Sequence, residues 1–278
     1  MNHVQQFNQN YTVHLKGVIP RDFAEEWVQE FFQRTGIDET DPSEFPDTQF
    51  SERTRSIPMK QLSPRTWEVV CELLGGEDQV DERTQNFSNN FNLNFNLRAD
   101  EPWRGPSADS PGWHKDGWFF RHFLDSPEQA LLVLVLWRDI LPKSGGTFYA
   151  PDSVPLVAKE LLAHPEGVHH THPFADLIHQ CKDFREMRGQ AGDVVILHPF
   201  MLHTASANPS GRIRIMNNKV VSLKQPLRLD RPDGEYTPLE RTLLNALRVK
   251  SLPFHITRER RRTEDFGPLS EEQDPSTP

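Results

Sequence analysis

The sequence has few cysteines, no long apolar run and no excess of basic residues. Cys71 and Cys181 are its two cysteines in 278 residues, too few for a disulfide framework, so we expect reduced thiols and a cytoplasmic location. The first 25 residues contain no apolar run of the signal-peptide type, and no stretch approaches the roughly 18 consecutive apolar residues of a membrane span. A formal net charge of -9 argues against binding to nucleic acid or to an anionic membrane surface.

What the chain does contain is typical of a globular protein with a large core. Its hydrophobic fraction is 36%, with 18 Phe and 6 Trp, and its length suits one large domain. We find no internal repeat and no dividing linker, so residues 1–262 are predicted to form a single domain. It would comprise a helical part at about 1–85, a core at about 86–224 and a helix at about 237–249. Residues 263–278 are polar and Pro-rich, which predicts a disordered tail.

Two amphipathic helices are predicted in the N-terminal part. In the first, within residues 20–36, apolar positions recur every four residues: Phe23, Trp27 and Phe31. The second begins with Ser63 as its N-cap and continues to about residue 75. The apolar spacing within it makes Cys71 a core thiol rather than a nucleophile. Residues 36–58, between the helices, are polar and Pro-containing and are expected to form a long loop.

From about residue 90 the pattern favours β-strands. One helix, at about 153–163, interrupts them. Strands so seldom separated by helices predict an antiparallel sandwich or barrel rather than βαβ units. The predicted strands are 90–97, 118–123, 131–137, 146–151, 193–198 and 212–223.

Asparagine alternates with phenylalanine and leucine in the stretch NNFNLNFNL, residues 89–97. Because successive side chains of a strand point to opposite faces, the Phe and Leu side chains would enter a core and the asparagines would face elsewhere. Solvent is one destination for that second face. A polar cavity is the other, because asparagine is a poor strand former and its amide both donates and accepts hydrogen bonds.

The segment PGWHKDGWFF carries the sharpest chemical signal. His114 and Asp116 lie two residues apart, so on a strand both side chains project from one face. A metal site needs a further ligand from elsewhere in the chain, and His203 follows an apolar strand and a short turn. Two histidines and one carboxylate on one side of an iron form the ligand set of the non-haem Fe(II) oxygenases.

A hairpin loop is predicted at residues 208–211, shortly after His203. Antiparallel pairing around it would place residue 214 across from residue 203, and residue 214 is an arginine. The guanidinium of Arg214 could hold a carboxylate bidentately beside the metal, with the hydroxyl of Thr147 assisting. Arg212, on the same predicted strand and face, would lie nearer the loop and contact substrate at the rim of the pocket.

The motifs WHKDG, SGGTF and GDVVILHPFMLH, together with the arginine eleven residues after His203, resemble the Fe(II)- and 2-oxoglutarate-dependent dioxygenases of the phytanoyl-CoA dioxygenase-like (PhyH) family. The resemblance covers roughly residues 85–224. It implies a mainly β fold with flanking helices, in which the core is a double-stranded β-helix, or jelly-roll. Lys115 departs from the residues common at that place, and the C-terminal segment matches no part of the family pattern.

The resemblance also implies cofactors and residue roles. It implies Fe(II), 2-oxoglutarate and O2, and a reaction that oxidises a small molecule while releasing succinate and CO2. Related halogenases have Ala or Gly in place of Asp116, so hydroxylation or desaturation is favoured. The implied iron ligands and catalytic residues are His114, Asp116 and His203, and the residues implied to bind 2-oxoglutarate or substrate are Arg214, Thr147, Asn94, Asn96 and, last in order, Asn92.

Several interpretations compete with these assignments. His198 could replace His203 as a ligand, and Trp118 and Phe120 could either wall a substrate pocket or pack in the core. The spacing of His164, His169, His170, His172 and His179 does not fit a closed zinc site, so we interpret them as surface loop residues.

Other functions are a catalytically silent scaffold for an active homologue and a zinc hydrolase, which would not need Arg214. The expected partner is a small molecule, a specialised metabolite or amino-acid derivative rather than an acyl-CoA. The expected assembly is a monomer or homodimer.

Overall fold

The computed structural model describes residues 2–261 of the chain. The predicted tail at 263–278 therefore lies outside the described residues. The α-helices are α1 (His3–Asn10), α2 (Arg21–Thr35), α3 (Met59–Leu62), α4 (Pro64–Leu74), α5 (Ser153–Ala163) and α6 (Pro238–Leu247). The strands are β1 (Thr12–Leu15), β2 (Thr48–Phe50), β3 (Ser56–Pro58), β4 (Asn86–Ser88), β5 (Asn92–Asn94), β6 (Leu131–Leu136), β7 (Phe148–Ala150), β8 (Arg185–Glu186), β9 (Val194–Leu197), β10 (Leu202–Thr204) and β11 (Arg214–Val221).

Two antiparallel sheets form the core of the fold. The major sheet has six strands in the order β1-β9-β6-β11-β5-β2, and the minor sheet has three in the order β10-β7-β8. An isolated antiparallel bridge between His114 and His203 extends the minor sheet by one chain segment. Successive strands β9, β10 and β11 alternate between the two sheets, as a jelly-roll requires. The predicted fold class is confirmed.

Each face of the major sheet packs against a different layer. On its outer face, side chains such as Val133 and Ile215 join the aromatic residues of α2 and the apolar residues of α4 in one core. On its inner face, Leu132, Leu134 and Met216 join the minor sheet and α5 in a second core. Burial of apolar surface on both faces fixes the strand register, because a shift of one residue would exchange the faces.

The helices expected from the sequence are present, with end signals that explain their limits. Ser63 is the N-cap of α4, where its side chain accepts a hydrogen bond from the backbone of Thr66. Thr237 and Glu240 form a capping box at the start of α6. Gly36 follows α2 in the left-handed conformation. None of the helices within residues 2–261 has the length and apolar character needed to cross a bilayer.

Three predictions about the elements are wrong in part. Segment 36–58 is not a continuous loop, since it contains β2 and β3. The N-terminal region also contains β1, which pairs with β9 in the major sheet. Residues 118–123 do not form a strand; the chain turns here, after Gly117 at φ +124°, and is held by single bridges.

Candidate metal centre and cosubstrate pocket

The imidazoles of His114 and His203 and the carboxylate of Asp116 converge in one cavity. Their candidate ligand atoms all lie within 4.8 Å of one another. His114 Nε2 is 3.4 Å from Asp116 Oδ1, and His203 Nε2 is 3.5 Å from Asp116 Oδ2. The cavity, which we call the triad cavity, has a volume of about 540 Å³. It is the arrangement expected of a two-histidine, one-carboxylate metal site.

Backbone hydrogen bonds orient the two histidines. His114 and His203 each donate a backbone N–H to the carbonyl oxygen of the other, at 3.0 Å in both directions. Their Nδ1 atoms lie 2.8 Å from the Gly112 carbonyl oxygen and 3.0 Å from the Met201 carbonyl oxygen. An Nδ1–H donated to each carbonyl leaves Nε2 as the lone-pair nitrogen, the form in which imidazole binds metal. The donor set therefore fits iron.

Asp116, two residues after His114, is held in its ionised form. The side-chain amide of Asn218, on β11, hydrogen-bonds Asp116 Oδ2. Burial would raise the pKa of Asp116, but the neighbouring imidazoles of His203 and His114 hold that pKa well below its usual range. Burial likewise opposes protonation of His114, but contacts with Asp116 and the Gly112 carbonyl raise its pKa overall. An anionic oxygen ligand is thus ready for a cation.

Arg214 lies in the wall of the same cavity as a buried, uncompensated cation. Its Nε donates to the Gly145 carbonyl at 3.1 Å and its Nη1 donates to the Asn92 carbonyl at 2.9 Å. No carboxylate within residues 2–261 pairs with it, and burial lowers its pKa to about 10. Thr147, also in the wall, directs its hydroxyl at Met216 Sδ, 3.5 Å away. Such a cation beside a metal site is complementary to a carboxylate ligand.

The chain matches a known protein family over most of its length. The model of the phytanoyl-CoA dioxygenase (PhyH) family matches residues 18–216. The chain belongs to this family. It is therefore an enzyme of the Fe(II)- and 2-oxoglutarate-dependent oxygenases, with iron, 2-oxoglutarate and O2 as its cofactors.

A search of curated proteins finds no match to the chain. Among solved structures, it resembles the epimerase SnoN, crystallised with Fe³⁺, α-ketoglutarate and nogalamycin RO, at 15% identity, 79% and 82% coverage of the two chains and a TM-score of 0.44. It also resembles the α-ketoglutarate-dependent carbocyclase SnoK from nogalamycin biosynthesis, at 20% identity, 80% and 82% coverage and a TM-score of 0.44. HygX from Streptomyces hygroscopicus, with nickel, 2-oxoglutarate and hygromycin B bound, matches at 14% identity, 80% and 86% coverage and a TM-score of 0.43.

The strand pairing that brings Arg214 to the triad cavity differs from the predicted hairpin. Arg214 pairs with Asn94 on β5, whereas His203 pairs with Tyr149 on β7. The expected pairing of residues 203 and 214 is wrong, because β10 and β11 belong to different sheets. Both side chains line the triad cavity, each from a different sheet.

The asparagine row divides into one cavity residue and two residues with structural contacts. Asn92 lines the triad cavity and contacts Arg214. Asn94 is fully buried, and its amide donates to the Ser206 carbonyl at 2.9 Å. Asn96 lies against the loop near Phe45, whose carbonyl oxygen is 3.5 Å from its amide nitrogen. Of these three asparagines, the structure brings Asn92 to the wall of the triad cavity, whereas the predicted order put Asn94 and Asn96 before it.

Trp118 and Phe120 do not share a face, because the predicted strand is absent. Trp118 lines the triad cavity and is 71% exposed, whereas Phe120 is buried and packs on His122. Arg212 also lies away from the cavity. It is exposed in a separate depression that contains Asp139 and Arg21, so the structure does not bring it to the rim of the triad cavity, where the sequence predicts a substrate contact.

The competing histidines do not join the metal group. His198 is buried between Phe7, Tyr11 and Phe200, and burial together with the charge of Lys115 lowers its pKa to about 3. Within residues 2–261, His114, Asp116 and His203 are the group of three with metal-binding geometry. His169 is buried rather than on the surface. The five clustered histidines form no comparable group among the described residues.

Three further residues around the site had no clear sequence signal. Phe50 on β2 lines the mouth of the triad cavity and is 76% exposed. Asn218 contacts Asp116, and only the register of β11 reveals this. The ammonium group of Lys115 points away from the cavity and lies 2.8 Å from His122 Nδ1, and burial lowers its pKa to about 7. Lys115 thereby packs on the side of segment 114–116 that faces away from the triad cavity.

The two cysteines have no role in the pocket. Cys71 packs beside the core of α4, and burial raises its pKa to about 11. Cys181 is buried, and burial raises its pKa to about 12. Both are free thiols whose high pKa values disfavour the reactive thiolate.

Proposed function

We propose that the enzyme hydroxylates or desaturates a small organic molecule, with His114, Asp116 and His203 as the iron ligands. In hydroxylation, R–H, O2 and 2-oxoglutarate give R–OH, succinate and CO2, with one oxygen atom in each organic product. In desaturation the second oxygen atom leaves as water. The observation that carries the proposal is the buried, uncompensated Arg214 in the same cavity as the triad.

The side chains divide the work of binding and orientation. Bound Fe(II) and 2-oxoglutarate supply the oxidising chemistry, at coordination positions that three protein ligands leave open. Arg214 and Thr147 would hold the distal carboxylate of 2-oxoglutarate, and Asn92 would fix the guanidinium. Leu134 and Met216 line the cavity and would exclude water from it.

The substrate would enter past two exposed aromatic side chains, Phe50 and Trp118. Both line the triad cavity, so they offer an apolar surface to the substrate body. A specialised metabolite or an amino-acid derivative fits such a mouth. Asn94 and Asn96 would position β5 and its neighbouring loop rather than touch the ligand. The cytosolic location and the monomeric or homodimeric state are part of the proposal and rest on the sequence alone.

Arg214→Ala and Arg212→Ala form a matched pair for testing the cosubstrate site. Each variant is titrated with 2-oxoglutarate under anaerobic Fe(II) conditions, and the dissociation constant is measured by calorimetry. Loss of a charge-assisted contact at a buried site costs about 2–5 kcal/mol, so Arg214→Ala should weaken binding roughly thirty-fold or more. Arg212→Ala should bind as the wild type does, because its side chain faces the Asp139 depression.

The outcomes separate the competing functions. A large loss in Arg212→Ala with none in Arg214→Ala would overturn the assigned cosubstrate site. Wild-type protein that binds Fe(II) but neither binds nor consumes 2-oxoglutarate would instead favour the silent scaffold. Hydrolysis with zinc and no need for Arg214 would favour the hydrolase.

A further inference from the structure

A second cavity adjoins the triad cavity at the edge of β11 that β5 leaves uncovered. β5 pairs only with residues 214–216, whereas β6 pairs with residues 216–221 on the other side. Beyond the end of β5 the chain leaves a space of about 610 Å³. We call it the basic cavity, because its lining includes three cationic side chains and no acidic one. Its polar lining includes Arg53, Arg83, Asn217, Asn218 and Lys219.

The two cavities share a wall. Phe119, Asn218 and Val220 line both of them. Asn218 is also the residue that hydrogen-bonds the Asp116 carboxylate. Asn218 therefore connects the wall of the basic cavity to a metal ligand, and a molecule that fills both spaces would pass beside Phe119.

The charges in the basic cavity are incompletely compensated. Arg83 pairs with Asp81, at 2.7 Å between Nη2 and Oδ2. Neither Arg53 nor Lys219 forms an ion pair with any residue between 2 and 261. Burial and the like charge of Arg53 lower the pKa of Lys219. Two cations that face one space without a counter-charge repel each other in the free protein. An anionic ligand between them would relieve that repulsion.

We propose that the substrate of this oxygenase carries an anionic group, a carboxylate or a phosphate, that binds between Arg53 and Lys219 in the basic cavity. The rest of the molecule then extends past Phe119 into the triad cavity, where the carbon to be oxidised lies. This inference rests on the proposed function, since it concerns the substrate of the same site. It adds a chemical class that the apolar mouth alone does not specify.

Arg53 and Lys219 are suited to different parts of this recognition. The planar guanidinium of Arg53 can bind two oxygens of a carboxylate or phosphate at once, while the ammonium of Lys219 acts as a point charge. Arg53 is exposed and Lys219 is partly buried. An incoming anion therefore meets Arg53 first and is then drawn to Lys219, which lies on β11 together with Asn218 and Arg214.

The test uses the protein loaded with Fe(II) and saturating 2-oxoglutarate under anaerobic conditions, so that Arg214 is occupied. Inorganic phosphate, benzoate and the neutral benzamide are titrated by calorimetry. At least one of the two anions should bind with a dissociation constant that is millimolar or tighter, and benzamide should bind at least tenfold more weakly. Preference for phosphate would identify a phosphate ester as the substrate class, and preference for benzoate would identify a carboxylic acid.

The variant Arg53→Gln/Lys219→Met should weaken binding of the preferred anion at least tenfold and leave 2-oxoglutarate affinity unchanged. Arg55→Gln is the matched control. Arg55 is two residues away but pairs with Glu26 and Glu30 outside the cavity, so its loss should not change anion binding.

Two results would overturn the inference. One is that neither anion binds, or that benzamide binds equally well. The other is that the double variant binds the anion as the wild type does. If the wild type failed to bind 2-oxoglutarate at the loading step, the proposed function itself would fail, which is a distinguishable outcome.

Discussion

The triad cavity and the basic cavity lie side by side, yet their charged groups are held very differently. Around the metal site, backbone carbonyls fix both histidines, Asn218 fixes Asp116, and Arg214 is 3% exposed with two carbonyl partners. In the basic cavity, Arg53 is exposed and has no ion-pair partner within residues 2–261.

The difference indicates that the triad cavity holds its ligands in one geometry, whereas the basic cavity can adapt to the molecule that it binds. Ligands that must hold one geometry need rotamers locked by surrounding contacts. A site that recognises only a charge needs no such precision, and a long flexible side chain can follow the ligand. The comparison predicts that changes in the triad cavity abolish function, whereas changes in the basic cavity alter affinity.

The largest effect is expected from removal of a metal ligand. His203→Ala should lose bound iron and reduce 2-oxoglutarate turnover at least about a hundredfold, because two remaining ligands hold Fe(II) poorly. His198→Ala is the control, since His198 packs among aromatic rings away from the metal group. Iron content after dialysis and turnover are measured for both. If His203→Ala retained iron and His198→Ala lost it, His198 rather than His203 would be the third iron ligand.

A smaller effect is expected at the wall that both cavities share. Asn218→Leu keeps the approximate size of the side chain but removes the hydrogen bond to Asp116. Loss of such an outer contact typically lowers metal affinity or activity about 10–100-fold. The amide of Asn217 instead donates to the Ser88 carbonyl beside the basic cavity, so Asn217→Leu should leave iron affinity unchanged.

Competition between Fe(II) and a chelator measures the affinity of each asparagine variant. If Asn217→Leu and Asn218→Leu lost iron affinity equally, the effect could not be assigned to the hydrogen bond between Asn218 and Asp116.

The smallest effect concerns the stability of the protein without ligands. Burial and Arg53 lower the folded-state pKa of Lys219, so the folded state disfavours the ammonium form. Because the unfolded state then binds more protons, wild-type stability should rise as pH increases from the lowered pKa towards about 10.4. Lys219→Met should remove that dependence and stabilise the apo protein at neutral pH by less than about 1 kcal/mol.

Urea unfolding of wild type and Lys219→Met at about pH 7 and about pH 9.5 measures both effects. A variant clearly less stable than the wild type at neutral pH would mean that Lys219 stabilises the fold and does not serve a ligand.

The sequence predicts that the metal group and Arg214 share one cavity, but it does not predict the strand pairing that brings them there. The pair His114 and Asp116 is local, so its two-residue spacing alone places both side chains together. The sequence predicts Arg214 near His203 through a hairpin register that the fold does not contain. Arg214 nevertheless lines the same cavity as His203, because the hairpin and the two-sheet arrangement both bring the ends of these strands together.

Other residues could not be placed because their environment depends on distant segments. The alternation at Phe91, Leu93 and Phe95 correctly predicts burial of the apolar face. It cannot show that Asn94 would meet the backbone at Ser206, which is 112 positions away in sequence. Similarly, Trp118 and Phe120 would point to the same face only if they lay on a strand. The chain turns after Gly117 and forms no strand there.

The alternation of β11 has a consequence for how this enzyme can diversify. Its even positions, Arg214, Met216, Asn218 and Val220, line the triad cavity, whereas its odd positions enter the outer core or the basic cavity. Point mutations at residues 216 and 220 can therefore reshape the substrate space while the opposite face keeps its packing. An insertion or deletion of one residue inside β11 would instead exchange the two rows beyond that point, because successive side chains of a strand point to opposite faces. Evolution of new substrate specificity along β11 is thus open to substitution and closed to changes in length.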